Sequence, residues 1–360
     1  MKISALGEFG LISRFSPPFL TGLGCGTIGI GDDCAVIPWK KDAALLVTTD
    51  LLLEGVHFLR SKISPADLGA KSLAVNLSDI AAMAGTPRSA FLSLGLPSDI
   101  GLDWVDGFFR GLRGLARDHK VALLGGDTTR SEGPIVVNIA VLGFGRPGRI
   151  KLRSAARESD IIALTGTLGD SSAGLRILLD EITIGRDEKK LVAAHVRPRA
   201  HLEEGAWLGC RAGVRALIDV SDGIDSDLRR IMESSGRGAA VDLDRLPVSP
   251  SLFAVCRRYG WDPLDFAVAG GEDYCLLTTV APGAFPSIAA GFGRRFGRPL
   301  FPIGRITSKG KDLAFRLHGR VKKLSQRGFD HFAPGRPTPP KKRYGSLLTK
   351  LDRSGGDRVS

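Results

Sequence analysis

The sequence predicts an α/β (α+β) protein of two domains, a mixed sheet with helices followed by an α/β sandwich. Three observations carry this. Short apolar strands alternate with segments whose apolar residues recur every three to four positions. Several strands run into glycine turns or acids, as strands do at ligand-bearing sheet edges. A chain of 360 residues is long for one hydrophobic core, and Gly143 to Gly148, with Pro147, reads as a linker. The expected division is 1–148, 149–332 and a basic tail at 333–360.

The elements follow in order. After a lead-in to Pro17-Pro18 comes a glycine-rich loop, Gly22 to Gly31, ending in Asp32-Asp33. Leu45 to Val47 is a strand that runs into Thr48-Thr49-Asp50. Ser64-Pro65 is a helix start, a capping hydroxyl followed by proline in the first turn. Leu73, Leu77, Ile80 and Ala84 give that helix an apolar face, with Asn76 and Asp79 on another. Phe91 to Leu96 is a strand, and Val105, Phe108, Leu112 and Leu115 mark a second helix. Val121 to Leu124 reads as a buried strand that stops at Gly125-Gly126-Asp127, and Ile135 to Leu142 as another. In the second half, Ile161 to Leu164 is a strand and Ser171 to Leu179 a helix, followed by a polar stretch to Arg197-Pro198. Ala216 to Ile218 is a buried strand, Gly223 turns the chain, and Leu228, Ile231 and Met232 mark a helix. Ala239 to Leu243, Tyr274 to Val280, Leu300 to Ile306 and Leu313 to Leu317 complete the strands.

Composition narrows the function classes. With 43% hydrophobic and 24% charged residues, the chain is that of an ordinary globular protein. The longest apolar run, near Pro134 to Gly145, is short of the ~20 residues of a membrane helix. The first residues lack a secretory core, and five dispersed cysteines suggest reduced thiols, so the expected location is cytoplasmic. The net charge of +12 suits anionic ligands. Part of it sits after Phe332, where seven Lys/Arg face two Asp. That tail reads as a solvated, disordered extension, with a nucleic-acid role as the alternative.

Two GxGxxG matches, Gly24-Gly26-Gly29 and Gly143-Gly145-Gly148, lack the strand-to-helix setting of a dinucleotide fingerprint. The chain has no P-loop, no metal spacing among its six histidines and no GxSxG elbow. What recurs is an acid after a short strand or glycine turn: Asp32-Asp33, Asp50, Asp127, Asp219 and Asp222, joined by Asp79 from a helix. Between Ile218 and Asp227 alone lie four carboxylates and no basic residue. Each acid by itself fits a cap or turn; together they point to a site. Converging carboxylates with hydroxyls beside them (Thr48, Thr49, Ser221) are hard oxygen donors that suit Mg²⁺ and a nucleotide's phosphates. Asp225 and Asp227 read instead as acids of the following helix's first turn.

The motifs Gly29-Ile30-Gly31-Asp32-Asp33, Thr48-Thr49-Asp50 with His57-Phe58, Asn76-Leu77-Ser78-Asp79, Gly125-Gly126-Asp127-Thr128-Thr129-Arg130, Asp219-Val220-Ser221-Asp222-Gly223 and Gly270-Gly271-Glu272-Asp273-Tyr274 stand in order. Over about Gly7 to Phe332 the chain resembles the thiamine-monophosphate kinase family. That family's wider group resembles aminoimidazole ribonucleotide synthetase and selenophosphate synthetase. The resemblance implies phosphoryl transfer from ATP to thiamine monophosphate, and a homodimer whose N-terminal sheets meet in a barrel-like centre. It implies that Asp33, Thr48, Thr49, Asp50, Asp79, Asp127, Asp219 and Asp222 hold several Mg²⁺ ions. It further implies ATP contacts from Gly126, Asp127, Arg153 and Ser221, with Asp50, Asp127 and Arg153 catalytic. His57, Glu272 and Phe329 would meet thiamine monophosphate, Phe329 through its aromatic face and Glu272 as a charge compensating the thiazolium. The alternatives are a sibling ATP enzyme with another small substrate and a nucleic-acid binder acting through the tail.

Overall fold

The computed structural model describes residues 7–322 apart from 309 and 311. Phe329 and the basic tail lie outside the described residues. Helices α1 (Gly7–Phe15) and α2 (Pro17–Leu20) precede the glycine-rich loop. Then follow β1 (Ala35–Lys40), β2 (Ala43–Leu53), α3 (Pro65–Ala82), β3 (Thr86–Leu96), α4 (Leu102–Asp118), β4 (Ala122–Arg130) and β5 (Val136–Gly145). The five strands form one mixed sheet in the order β1-β2-β5-β3-β4, with only the β3–β4 pair parallel. Burial alternates along β5: Val137, Ile139 and Val141 are covered, the residues between them less so. One face therefore carries the core, where Leu46, Leu92 and Ile139 join Leu73, Leu77 and Ile80 of α3 and Phe108 and Leu112 of α4.

The second half contains β6 (Ile161–Leu164), α5 (Asp170–Leu179), α6 (Arg186–Val196), α7 (Leu202–Gly209), β7 (Val214–Asp219), α8 (Ile224–Ser235) and β8 (Gly238–Asp242). It continues with α9 (Pro250–Tyr259), α10 (Pro263–Ala269), β9 (Leu276–Val280), α11 (Phe285–Phe296), β10 (Phe301–Thr307), β11 (Leu313–Leu317) and β12 (Arg320–Val321). Its seven strands run in the order β12-β11-β8-β10-β6-β9-β7. Helices cover both faces. Leu228 and Ile231 of α8 pack with Ile218, Val241 and Ile303, while Leu208 of α7 and Phe292 of α11 pack with Ala163, Leu217 and Val280.

Helix α3 is the spine between the halves. Ser64 caps it by accepting the Asp67 N–H at 3.1 Å, and Pro65 opens it, as the sequence indicated. Its burial is not confined to one face, however. Lys71, Ser72, Asn76 and Ser78 are buried along with the leucines, because sheet, α4 and the second half surround it. Ala81 and Ala82 belong to the second half's core.

Three expectations need correction. Val121 to Leu124 is not a buried strand ending at Gly125. β4 continues to Arg130, and all its residues are exposed, because it is the edge strand of a sheet with one open face. The linker begins later than Gly143, since β5 pairs as far as Gly145. The polar stretch before Arg197 is the helix α6, whose buried stripe is narrow. Asp225 and Asp227 do lie in the first turn of α8, as expected, and Asp227 Oδ2 also accepts the N–H groups of Ser221 and Asp222, each at 3.1 Å, tying that turn to the loop before it.

Candidate active site

Three carboxylates meet where the halves touch. Oxygens of Asp33, Asp79 and Asp219 lie within 4.8 Å of one another. Each arrives from a different element. Asp33 ends the glycine-rich loop just before β1, Asp79 is in the last turn of α3, and Asp219 is the final residue of β7. Hydroxyls orient two of them. Thr48 Oγ1 donates to Asp79 Oδ2 at 2.5 Å, and Ser78 Oγ donates to Asp219 Oδ2 at 2.6 Å. Arg153 grips Asp33 with two nitrogens, Nη2 to Oδ1 at 2.6 Å and Nε to Oδ2 at 3.3 Å, while its backbone N–H donates to Asp32 Oδ2 at 3.1 Å.

The electrostatics record crowding. Burial, then Asp50 and Asp219, push the Asp79 carboxyl well above its ordinary range. Burial and Asp33 raise Asp219 to about 7, and burial and Asp33 raise Asp32 to about 7. Burial and the facing Asp222 raise Asp50 to about 6. Asp222 pairs with Arg230 at 2.6 Å. Its loop makes a tight turn at Gly223, where φ is 101° and a Cβ would come within 2.7 Å of the Gly270 carbonyl oxygen. Asp225 is engaged by Arg229 one helical turn on, at 3.0 Å.

Not all the expected residues converge within one chain. Register puts Asp50 in the cross-strand row of Ile139, Leu92 and Gly126, on the covered face. Asp127 shares its row with Ser93, Asn138 and Leu51, and Thr49 its row with Ala140 and Phe91; both rows lie on the open face. There Asn138 Nδ2 donates to Thr49 Oγ1 at 2.9 Å. Gly126 has φ 153°, and a Cβ on it would lie 1.7 Å from the Leu92 carbonyl oxygen, so the close strand approach requires glycine. The step from Thr48 to Thr49 thus carries two neighbouring hydroxyls to opposite faces.

A second polar centre surrounds Glu272. It lies in the turn before β9 with φ 60°, and its N–H donates to the Ser221 carbonyl at 2.7 Å, tying this turn to the Ser221–Asp222 loop. Lys71 of α3 and His195 of α6 both bind its carboxylate. Burial alone would raise the Glu272 carboxyl, but Lys71 and then His195 pull it down to about 2. His57 Nδ1 accepts the Leu53 N–H at 3.0 Å, which leaves the proton of a neutral ring on Nε2. The motif reading held Ser78 without giving it a role, and missed Lys71, His195 and Arg230. Lys71 had a signal, the one basic residue of α3, set among Leu68, Leu73 and Leu77.

A cluster of buried acids flanked by two arginines is suited to cations and phosphates. Comparisons with known proteins agree with that chemistry. A family profile described as AIR synthase related protein, N-terminal domain, matches residues 31–144. The chain is 39% identical over 331 residues to thiamine-monophosphate kinase of Escherichia coli K12, covering 91% of this chain and 99% of that one. It is 37% identical to the Aquifex aeolicus enzyme of the same name over 280 residues, 78% of this chain and 87% of that one. Among solved structures, "AaThiL complexed with AMPPCP and TMP" superposes with a TM-score of 0.79 at 33% identity, covering 92% of this chain and 99% of that one. HypE of E. coli, a hydrogenase maturation protein, shares the fold at a TM-score of 0.64 and 21% identity, covering 80% of this chain and 88% of that one.

Proposed function

The chain belongs to the thiamine-monophosphate kinase family, and from that membership we infer that it transfers the γ-phosphoryl group of ATP to thiamine monophosphate, giving thiamine diphosphate and ADP. The single observation that carries the reading is near full-length similarity to enzymes of that name, in a chain where acids of three of the family motifs, Asp33, Asp79 and Asp219, lie together. The neighbour solved with AMPPCP and TMP supports an ATP-like ligand and thiamine monophosphate as the occupants.

The donor set fits Mg²⁺. Asp33, Asp79 and Asp219 offer only hard oxygens, and burial of so many carboxylates favours a compensating cation. Thr48, Asp50 and Asp222 would complete the ligands from the same side, with Thr49 and Asp127 contributing from the open face. Bound Mg²⁺ supplies positive charge that lets two anionic phosphate groups approach. The chain's own part is binding and alignment. The attacking group is a phosphate oxygen, already largely dianionic at neutral pH because its second pKa is about 6, so no general base is required. Arg153 and the Ser221 and Gly126 region hold the ATP phosphates for in-line transfer without a phosphoenzyme. His57, Glu272 and Phe329 would hold the thiamine moiety.

The reading includes a homodimer closed over the open face of the first sheet, whose exposed edge β4 and exposed Phe91 support it. It includes a cytoplasmic location, supported by five free cysteines; among the described residues no helix is long and apolar enough to cross a membrane. It divides the chain at about residue 148, just past the end of β5, and at 332.

A coupled assay for ADP release tests it. We expect turnover that depends on thiamine monophosphate and falls at least about a hundred-fold in Asp50→Asn with the fold intact. ADP release indifferent to thiamine monophosphate, or a phosphorylated protein formed with ATP alone, would overturn the assignment.

A further inference from the structure

Lys71 is among the largest fully buried side chains of the described residues, with none of its surface exposed. Its Nζ donates to Glu272 Oε2 at 3.0 Å and lies 2.9 Å from Oε1. His195 Nδ1 lies 3.1 Å from Oε2, and Ser171 Oγ lies 3.1 Å from the same nitrogen. Of the three charged or titratable groups only Glu272 reaches solvent, with 26% of its side chain exposed against 0% for Lys71 and 6% for His195. The turn that carries it is anchored on both sides. Glu272 and Tyr274 both hold positive φ without being glycine, at 60° and 50°. Between them Asp273 Oδ2 accepts the Gly169 N–H at 2.7 Å at the start of α5, and the Tyr274 N–H donates to the Val220 carbonyl at 2.8 Å.

A buried ammonium loses several kcal/mol of hydration, and replacing a buried ion pair by apolar groups of similar volume is often neutral or stabilising. Stability alone therefore gives little reason for a lysine at the centre of α3. Its effect on Glu272 gives one. Lys71 cancels the carboxylate's charge, and with His195 it occupies most of the lone pairs on one oxygen. The other oxygen keeps capacity for one more donor on the exposed side.

We propose that Lys71 and His195 are positioning residues for thiamine monophosphate: they hold Glu272 as a neutralised, oriented hydrogen-bond acceptor rather than as a free negative charge for the thiazolium. This rests on the function proposed above. It also ties substrate recognition to the contact between the halves, because Lys71 belongs to α3 and Glu272 to the second half.

The test is a kinetic double-mutant cycle on the full chain with Lys71→Met, His195→Gln, Glu272→Gln and the two pairwise combinations with Glu272→Gln, folding being checked by thermal denaturation. Lys71→Met is expected to raise KM for thiamine monophosphate about ten-fold or more, the range for losing a hydrogen bond to a charged group. KM for ATP and kcat should change less than about three-fold. His195→Gln should shift the same KM in the same direction. Each pair with Glu272→Gln should be no worse than Glu272→Gln alone, because both residues act through Glu272. Equal changes in both KM values, or effects that multiply in the double variants, would mean a clamp of purely structural role and overturn the proposal. Should Lys71→Met fail to fold, the His195→Gln cycle decides by the same criterion. A wild-type chain that ignores thiamine monophosphate would overturn the function itself. Wild-type turnover with an unmoved KM in the variants overturns only the positioning role.

Discussion

Asp219 illustrates how much a single carboxylate reports. Burial and Asp33 raise it to about 7, from an ordinary value of 3.8, and Asp50 rises to about 6. A raised acid keeps its proton longer in the folded chain than in the unfolded one. Its contribution to stability is present below about pH 4 and is lost as pH climbs through 6 to 7. Cations held by the ionised cluster would act in the opposite direction. The gain in melting temperature on adding Mg²⁺ should therefore be larger at pH 8 than at pH 6, by about 3 °C or more, and should shrink in Asp219→Asn. Thermal denaturation at the two pH values measures it; an equal gain at both would remove these acids from the cation site. Asp33, Asp79 and Asp219 were legible because each ends a recognisable strand, loop or helix. The Lys71–Glu272 pair was not, since 201 positions separate the partners and no local pattern joins them.

At the scale of elements, strands with continuous apolar cores and helices with a capping hydroxyl followed by proline could be read directly. β6 has the limits its apolar run indicates, and α3 starts at its Ser-Pro signal. The same signal stood at Ser249-Pro250, where Ser249 accepts the Leu252 N–H at 3.0 Å, and α9 went unread beside it. α6 escaped because charge dominates it and few of its residues are buried. α11 carries two internal glycines, which weaken any helix pattern. Packing between elements was beyond local reading altogether. Gly205 of α7 shows this: a Cβ there would lie 2.1 Å from the Ala81 carbonyl oxygen of α3. Gly205→Val should destabilise the chain by about 3 kcal/mol, the upper range for forced overpacking. Gly114→Ala, on α4 with open space around it, should be neutral or stabilising by up to about 1 kcal/mol. Denaturant titration of both variants decides; a Gly205→Val chain as stable as wild type would mean the α3–α7 contact is loose.

At the scale of the molecule, the first sheet has one face in the core and one uncovered. Leu51 is 54% exposed and Phe91 41%, and β4 offers an unpaired edge beside them. Two of the motif residues, Thr49 and Asp127, share that face, while Thr48, Asp50 and Gly126 belong to the other. Alternation along a strand forces this split, and no motif spacing could hide it or remove it. A second copy covering the open face would bury Leu51 and Phe91 and enclose Asp127. Phe91→Glu separates this from a merely apolar surface. The side chain is already half out of the core, so folding should survive, but a charge there would have to be buried at the interface. On the proposed dimer, we expect wild type to elute as a dimer and the variant as a monomer at the same concentration, with turnover falling at least about ten-fold. Its Mg²⁺-induced rise in melting temperature should persist, because Asp33, Asp79 and Asp219 meet within one chain. A Phe91→Glu chain that stays dimeric would move the interface elsewhere. One that becomes monomeric with full activity would leave Asp127 and Thr49 with no need of a partner.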